Sequence, residues 1–150
     1  MAEIRVMLAS DIPAAQALWQ NTAGIGLSRS DSEAGLMAFL EHNPGLSRVA
    51  VVDGRLVGTA LCGHDGRRGM LYHVAVDVVC RGQGLGRSLV QSCMGALAAA
   101  GIGRCHLFVF NSNEGGLAFW RHEGWEERDD LTVFSCDTPT DLPPRAGTGP

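Results

Sequence analysis

The chain has no apolar run long enough to cross a bilayer, and its first residues, MAEIRVMLAS, lack the basic-then-apolar layout of a secretory signal. It has no excess of basic residues either. Twelve Lys and Arg against 16 Asp and Glu leave a net charge of −4, which argues against general affinity for nucleic acid. No C-x-x-C pair occurs among the five cysteines, Cys62, Cys80, Cys93, Cys105 and Cys136. An odd number in apolar contexts reads as reduced core thiols of a cytoplasmic protein, with neither a disulfide framework nor a metal site expected. Internal repeats are absent, and Tyr72 is the one tyrosine. What is present suits one domain with a real core: 150 residues, 45% hydrophobic and 19% charged.

The most informative stretch is Leu71 to Gly86, LYHVAVDVVCRGQGLG. Leu71 to Val79 is β-branched and apolar and reads as a buried strand. Arg81-Gly-Gln-Gly-Leu-Gly86 follows, and then Leu85, Leu89, Val90, Cys93, Met94 and Leu97 recur at helical spacing. A strand, a glycine-rich turn and a helix N-terminus together expose unpaired N–H groups at the positive end of the helix dipole, which is a cradle for phosphate. The dinucleotide fingerprint G-x-G-x-x-G fails, because Arg87 stands at its third glycine, and no Walker Gly-Lys-Ser/Thr occurs.

The rest of the chain is ordered around this stretch. Glu3 to Leu8 alternates as a strand, and Ser10 or Asp11 caps a helix running to about Asn21. Ser30-Asp-Ser-Glu33 has the form of a capping box for a second helix, which stops at Asn43-Pro44-Gly45. Ser47 to Val52, Leu56 to Cys62 and the central strand are joined by turns at Asp53-Gly54 and His64 to Gly69. Beyond the cradle helix, which stops at Gly101, Cys105 to Phe110 reads as a strand, Leu117 to His122 as a short helix, and Leu131 to Cys136 as a last strand. The expected fold is α/β, a mixed central sheet flanked by helices in the order β-α-α-β-β-β-α-β-α-β. One domain over residues 1–136 would be followed by a proline-rich disordered tail, 137–150.

Arg81, Gly84 and Gly86 fill the pattern Arg/Gln-x-x-Gly-x-Gly, which resembles the pyrophosphate-binding motif of the GNAT family of N-acetyltransferases. The likeness extends to Asn113, Gly116, Trp120, Gly124 and Trp125, which stand at the spacings of that family's Asn-x-x-Ala, aromatic and Gly-Phe positions, and is similar to a bacterial YpeA-like branch. It implies the family fold over residues 3–136 and acetyl-CoA as co-substrate. By resemblance, the backbone of Gly82, Gln83, Gly84, Leu85, Gly86, Arg87 and Ser88 would hold the pyrophosphate, with charge from Arg81 or Arg87. Val74, Ala75 and Val76 would pair with the pantetheine, Asn111 or Asn113 would bond its amides, and Phe119 and Trp120 would wall it.

Acetyl transfer needs a base, because an alkylamine is mostly protonated near pH 7. Asp65, His64 and His73 are the candidates. In a regular strand His73 faces away from Tyr72, and Asp65 also suits a plain turn. Asp31 and Glu33 suit either a helix cap or the acceptor cleft. The family's usual acid is a tyrosine on the helix after the Asn-x-x-Ala turn, where this chain has Trp120, whose indole N–H donates a hydrogen bond but does not give up its proton. His122 or Tyr72 are substitutes, or the thiolate leaves unaided. The expected activity is therefore direct N-acetyl transfer from acetyl-CoA to a primary amine, small molecule or protein. A non-enzymatic acyl-CoA sensor on the same fold and a Rossmann-type nucleotide domain are the alternatives. The resemblance leaves a homodimer open, through pairing of edge strands.

Overall fold

The computed structural model describes residues 2–139. Its centre is a mixed sheet, as expected, built of five strands rather than the six read from the sequence, in the order β1-β2-β3-β4-β5. The strands are β1 (Ala2–Val6), β2 (Arg48–Val52), β3 (Arg55–His64), β4 (Gly69–Val76) and β5 (Cys105–His106). The first four pair antiparallel, and β5 pairs parallel to β4. Asp53 (φ 51°) and Gly54 (φ 76°) are both left-handed, which is what a two-residue turn between twisted strands requires.

Helices cover both faces. α1 (Ile12–Gln20) and α2 (Glu33–His42) bury Ile12, Ala15, Trp19 and Leu36 with Val49, Leu61 and Ala75. α3 (Leu85–Ala99) covers the other face with Leu85, Leu89, Val90, Cys93 and Leu97, whose 3.6-residue spacing was visible in the sequence. Two glycines let α3 lie close. A β-carbon on Gly58 would sit 3.0 Å from Leu89, and one on Gly69 2.7 Å from Leu97. α4 (Glu114–His122) follows β5, with Phe119 and Trp120 against the α3-side core.

Several boundaries differ from the sequence reading. The strand expected over Leu71 to Val79 ends at Val76, and Val78–Cys80 is a short 3-10 turn with Val78 and Val79 exposed. Of the strand expected over Cys105 to Phe110, only Cys105 and His106 are in the ladder. Leu131 to Cys136 forms no strand among the described residues. Its alternation satisfied the pattern, but a strand needs a partner: Leu131, Val133 and Phe134 are 59%, 61% and 93% exposed. The capping box lies two residues earlier than expected. Ser28 and Asp31 close it around a short 3-10 turn (Arg29–Asp31), and Ser32 caps α2 by accepting from the Gly35 N–H. Of the expected tail, residues 140–150 lie outside the described residues.

Of the five cysteines read as core thiols, two are in the core, Cys80 and Cys105 are half-buried, and Cys136 is exposed. Cys62 and Cys93 are fully buried, and the neighbouring Cys93 thiol together with burial pushes the Cys62 thiol up. Burial pushes Cys105 up to about 11. All five cysteines are free, and among the described residues no group of three or more His, Cys, Asp or Glu could hold a metal ion. No helix there is long and apolar enough to cross a membrane.

Candidate active site

β4 and β5 share only two rungs, Gly69 with Cys105 and Met70 with His106. Beyond them the chains part, and from Leu71 to Val76 the β4 edge facing β5 has no ladder partner. The gap is a groove of about 900 Å³, walled by Leu71 to Val76 on one side and Leu107 to Phe110, Phe119 and Trp120 on the other. Trp120 stacks edge-on between Phe119 and Trp125, with both centroid separations 4.9 Å. A strand edge with open N–H and C=O groups, flanked by apolar walls, suits an extended amide-bearing chain.

One end of the groove is the glycine cradle. Gly82 (φ 79°) and Gly84 (φ 78°) take left-handed backbone, and a β-carbon on either would meet nothing within 4 Å. Gly84 is the N-cap of α3 and supplies no capping side chain, so the first N–H groups of the helix stay open to an anion. The Ser88 N–H is not among them, contrary to the sequence reading, because it makes the helix's first bond, to Gly84 O at 3.0 Å. Gly86 serves packing as well, since a β-carbon there would press on the Phe119 ring at 3.2 Å. Arg81 donates Nε–H to Val76 O at 3.0 Å, which leaves its terminal nitrogens for a ligand. Arg87 is engaged by Glu123, just past the end of α4, through both carboxylate oxygens, at 3.0 to 3.2 Å, and this bond raises its pKa. The guanidinium therefore arrives at the cradle already neutralised.

The middle of the groove is shaped by a bulge. Thr59 pairs with Ala75 but Leu61 pairs with Tyr72, so Ala60 stands opposite both His73 and Val74. The extra residue breaks the two-residue alternation. His73 takes φ 50°, an uncommon left-handed conformation for a residue with a side chain. Tyr72 and His73 consequently face the same side, contrary to the sequence reading. Tyr72 meets Phe39 of α2 edge-on at 5.9 Å, and His73 meets Trp19 of α1 at 4.7 Å. A buried relay holds the bulge. The Trp19 indole N–H donates to Thr59 Oγ1 at 2.8 Å, and the Thr59 hydroxyl donates to the His73 carbonyl at 2.7 Å.

His73 Nε2 lies 2.8 Å from Asp31 Oδ1, across 42 residues of sequence. Burial works against the charge on Asp31, but the bonds from His73 and the Ser28 N–H outweigh it and hold the carboxyl below its ordinary range. An ionised carboxylate only accepts, so Nε2 carries the proton in this pair. In the neutral imidazole, Nδ1 is then the lone-pair nitrogen. Burial raises the Tyr72 pKa, which keeps its hydroxyl protonated.

The groove thus brings together Val74, Ala75, Val76, Arg81, Gly82, Gly84, Leu85, Gly86, Arg87, Asn113, Phe119, Trp120 and His73. It does not include Asp65, whose carboxylate accepts from the Arg67 and Arg68 N–H groups at 2.8 Å in the exposed β3–β4 turn; these bonds hold its pKa down. His64 bonds the Gly66 N–H in the same turn. Gln83, Ser88 and Asn111 also fall outside the groove lining. Asn113 lines it but spends Oδ1 on capping α4, through the Gly116 N–H at 3.0 Å. Sequence reasoning missed the relay of Trp19 and Thr59, the Glu123 partner of Arg87, and the wall residues Phe108 and Phe110. None had a local signal: Leu107 to Phe110 is apolar at every position, and only the structure separates the exposed rings from their neighbours.

The family model described as acetyltransferase (GNAT) matches residues 13–125. An acetyltransferase of Pectobacterium atrosepticum is 30% identical over 131 residues, covering 87% of this chain and 92% of that protein. One from Yersinia enterocolitica matches with the same identity and coverage. Among solved structures, the PaiA N-acetyltransferase of Thermoplasma acidophilum in complex with coenzyme A is 20% identical with a TM-score of 0.73, covering 86% of this chain and 92% of that one. The ribosomal-protein-S18-alanine N-acetyltransferase of Escherichia coli is 24% identical with a TM-score of 0.67, covering 85% and 79%. At those identities the structural likeness establishes the fold.

Proposed function

The chain belongs to the acetyltransferase (GNAT) family and is an acetyltransferase, and we propose that it moves the acetyl group of acetyl-CoA directly to a primary amine held in the same complex. The observation that carries this reading is the continuous groove, with an anion cradle at one end and the Asp31–His73 pair on the bulge of β4. The open α3 N-terminus and the terminal nitrogens of Arg81 suit a pyrophosphate, and the unpaired edge of β4 suits the two amides of a pantetheine arm. The fit is chemical: fixed N–H donors face where charge must sit, and no side chain fills the cradle.

Each group on the bulge then has a task. His73 Nδ1 takes the proton of the amine as its nitrogen bonds the acetyl carbon. Asp31 accepts from Nε2–H and stabilises the imidazolium that forms. The C–S bond breaks, and the CoA thiolate leaves with its electron pair. A thiolate is a fair leaving group, its conjugate acid ordinarily titrating near 8.5, so water suffices to protonate it and the indole of Trp120 need not. The same groove holds the protonated Tyr72 hydroxyl as a second proton source.

The test is calorimetric binding of acetyl-CoA, with NAD and ATP as controls, followed by thiol release over a panel of amines. The chain contains no lysine, so its own side chains offer no ε-amine to confuse the release signal. Acetyl-CoA is expected to bind and the controls are not. His73→Gln is expected to lower kcat by about 100-fold or more with little change in the KM for acetyl-CoA. Failure to bind acetyl-CoA would remove the reading. Binding without release over the whole panel would turn it to an acyl-CoA sensor.

A further inference from the structure

We infer that the acceptor is a small primary amine carried on an aromatic or bulky aliphatic body, read by an apolar mouth formed by Phe108, Phe110 and Tyr72 beside His73. The inference rests on the acetyl-transfer reading and names the substrate class of the same groove.

The mouth lies on the α1–α2 side of the sheet, the side to which the bulge turns His73. Leu107 packs into the α3-side core, whereas Phe108 and Phe110 are 68% and 59% exposed and line the groove. Phe110 is placed by the loop between α1 and α2, since a β-carbon on Gly26 would sit 2.8 Å from its ring. Tyr72, 41% exposed, completes the set, with Phe39 holding its ring edge-on. Three large rings facing solvent around a base are costly for a protein unless something apolar covers them. The described C-terminal segment does not, because its own apolar residues are exposed as well.

Charge narrows the class. The ionised or ionisable lining residues divide by position: Cys80, Arg81, Arg87, His122 and Glu123 come from the cradle side and the end of α4, and only Tyr72 and His73 stand at the mouth. The carboxylate within reach there, Asp31, is already committed to His73 and the Ser28 N–H. The mouth lining therefore supplies no carboxylate for the second ammonium of a polyamine and no guanidinium for the carboxylate of an amino acid. Arg67 and Arg68 stand in the β3–β4 turn, outside the groove lining. The mouth is also walled. A side chain on Gly24 would overlap Asn113 and one on Gly26 would overlap Phe110, so the α1–α2 loop closes against the start of α4. That closure suits a compact ligand better than an extended polypeptide.

The experiment compares 2-phenylethylamine and tryptamine with spermidine and glutamate at saturating acetyl-CoA, by thiol release. In parallel, saturation-transfer NMR reads binding of each amine to the full chain loaded with CoA. The aromatic amines are expected to exceed spermidine and glutamate by at least about tenfold in kcat/KM, an energy difference of about 1.4 kcal/mol. Phe108→Asp is expected to reverse the order, raising the KM for the aromatic amines and lowering it for spermidine. A wild-type preference for spermidine or glutamate would overturn the proposal. If no amine releases thiol, the acetyl-transfer reading fails on its own. The mouth is then judged by NMR alone: aromatic amines bound and lost in Phe108→Asp support it, and no aromatic amine bound overturns it.

Discussion

Thr59→Val removes one oxygen from the interior and keeps nearly the same shape. Thr59 is fully buried, and its hydroxyl is the only link between the Trp19 indole N–H and the His73 carbonyl. Without it a buried donor and a buried acceptor lose their partners together. Each such loss costs about 1–3 kcal/mol, so about 2–6 kcal/mol in all. For a chain of this length about 1 kcal/mol moves the melting temperature by about 2–4 °C, giving an expected fall of about 4–24 °C. Thr59→Ser keeps the relay and deletes one buried methyl, for about 1 kcal/mol. Thermal melts should therefore rank wild type above Ser above Val. The Val variant should also lose kcat, because the carbonyl that anchors the left-handed backbone of His73 is released, while its KM for acetyl-CoA changes little. A Val variant that melts at or above the Ser variant would refute the relay. One that melts low but keeps full kcat would confine the relay to stability.

Gly84→Asp would place a side chain and a negative charge where the open α3 N–H groups gather, at a strain of about 1–2 kcal/mol for a non-glycine residue in left-handed backbone. The variant should fold and lose at least about 100-fold in calorimetric affinity for acetyl-CoA, an energy of about 2.7 kcal/mol, and unchanged affinity would dismiss the cradle. Glu123→Gln leaves Arg87 with an uncompensated charge at the same place. CoA should bind about three- to tenfold tighter at low salt, with the gain shrinking at 0.5 M salt, and weaker binding would mean that the carboxylate matters by positioning Arg87. Asp11 accepts two bonds from Arg5, at 2.8 and 2.9 Å, and one from the Leu8 N–H, and chiefly the arginine holds its pKa below the ordinary value. A depressed carboxyl contributes stability above its unfolded pKa and loses it as pH falls through the folded one. The deficit of Asp11→Asn in urea melts should therefore be larger at pH 7 than at pH 3, and an equal deficit at both would dismiss the ion pair as a contributor.

The cradle and the two hairpins were legible because their physics is local. Gly82, Gly84 and Asp53-Gly54 each answer a backbone demand made within a few residues. The bulge was not legible, since Tyr72, His73 and Val74 alternate as any strand does, and the extra residue becomes apparent only against Ala60 across the ladder. Asp31 was named as a cap or a cleft residue, and its cap duty is plain, with Oδ2 on the Ser28 N–H, while Oδ1 is spent on His73. The frame Ser-x-x-acid occurs at Ser28 and again at Ser30, and nothing local chooses between them. Leu131 to Cys136 has a strand's pattern, but pattern does not supply a neighbour, and pairing is a property of the sheet.

The unpaired edge of β4 carries a hazard that its surroundings contain. Open N–H and C=O groups on a strand are a template on which another polypeptide can add, the usual route to unwanted self-association. Here that template lies inside a cleft, between β5, the aromatic stack of α4 and the closed α1–α2 loop. A polypeptide strand adding there would have to place side chains on both faces between these walls, whereas a pantetheine arm has amides but almost no side branches. Walls that suit the proposed ligand would then also disfavour the protein's own kind, so trimming Phe119 or Trp120 should leave a stickier edge.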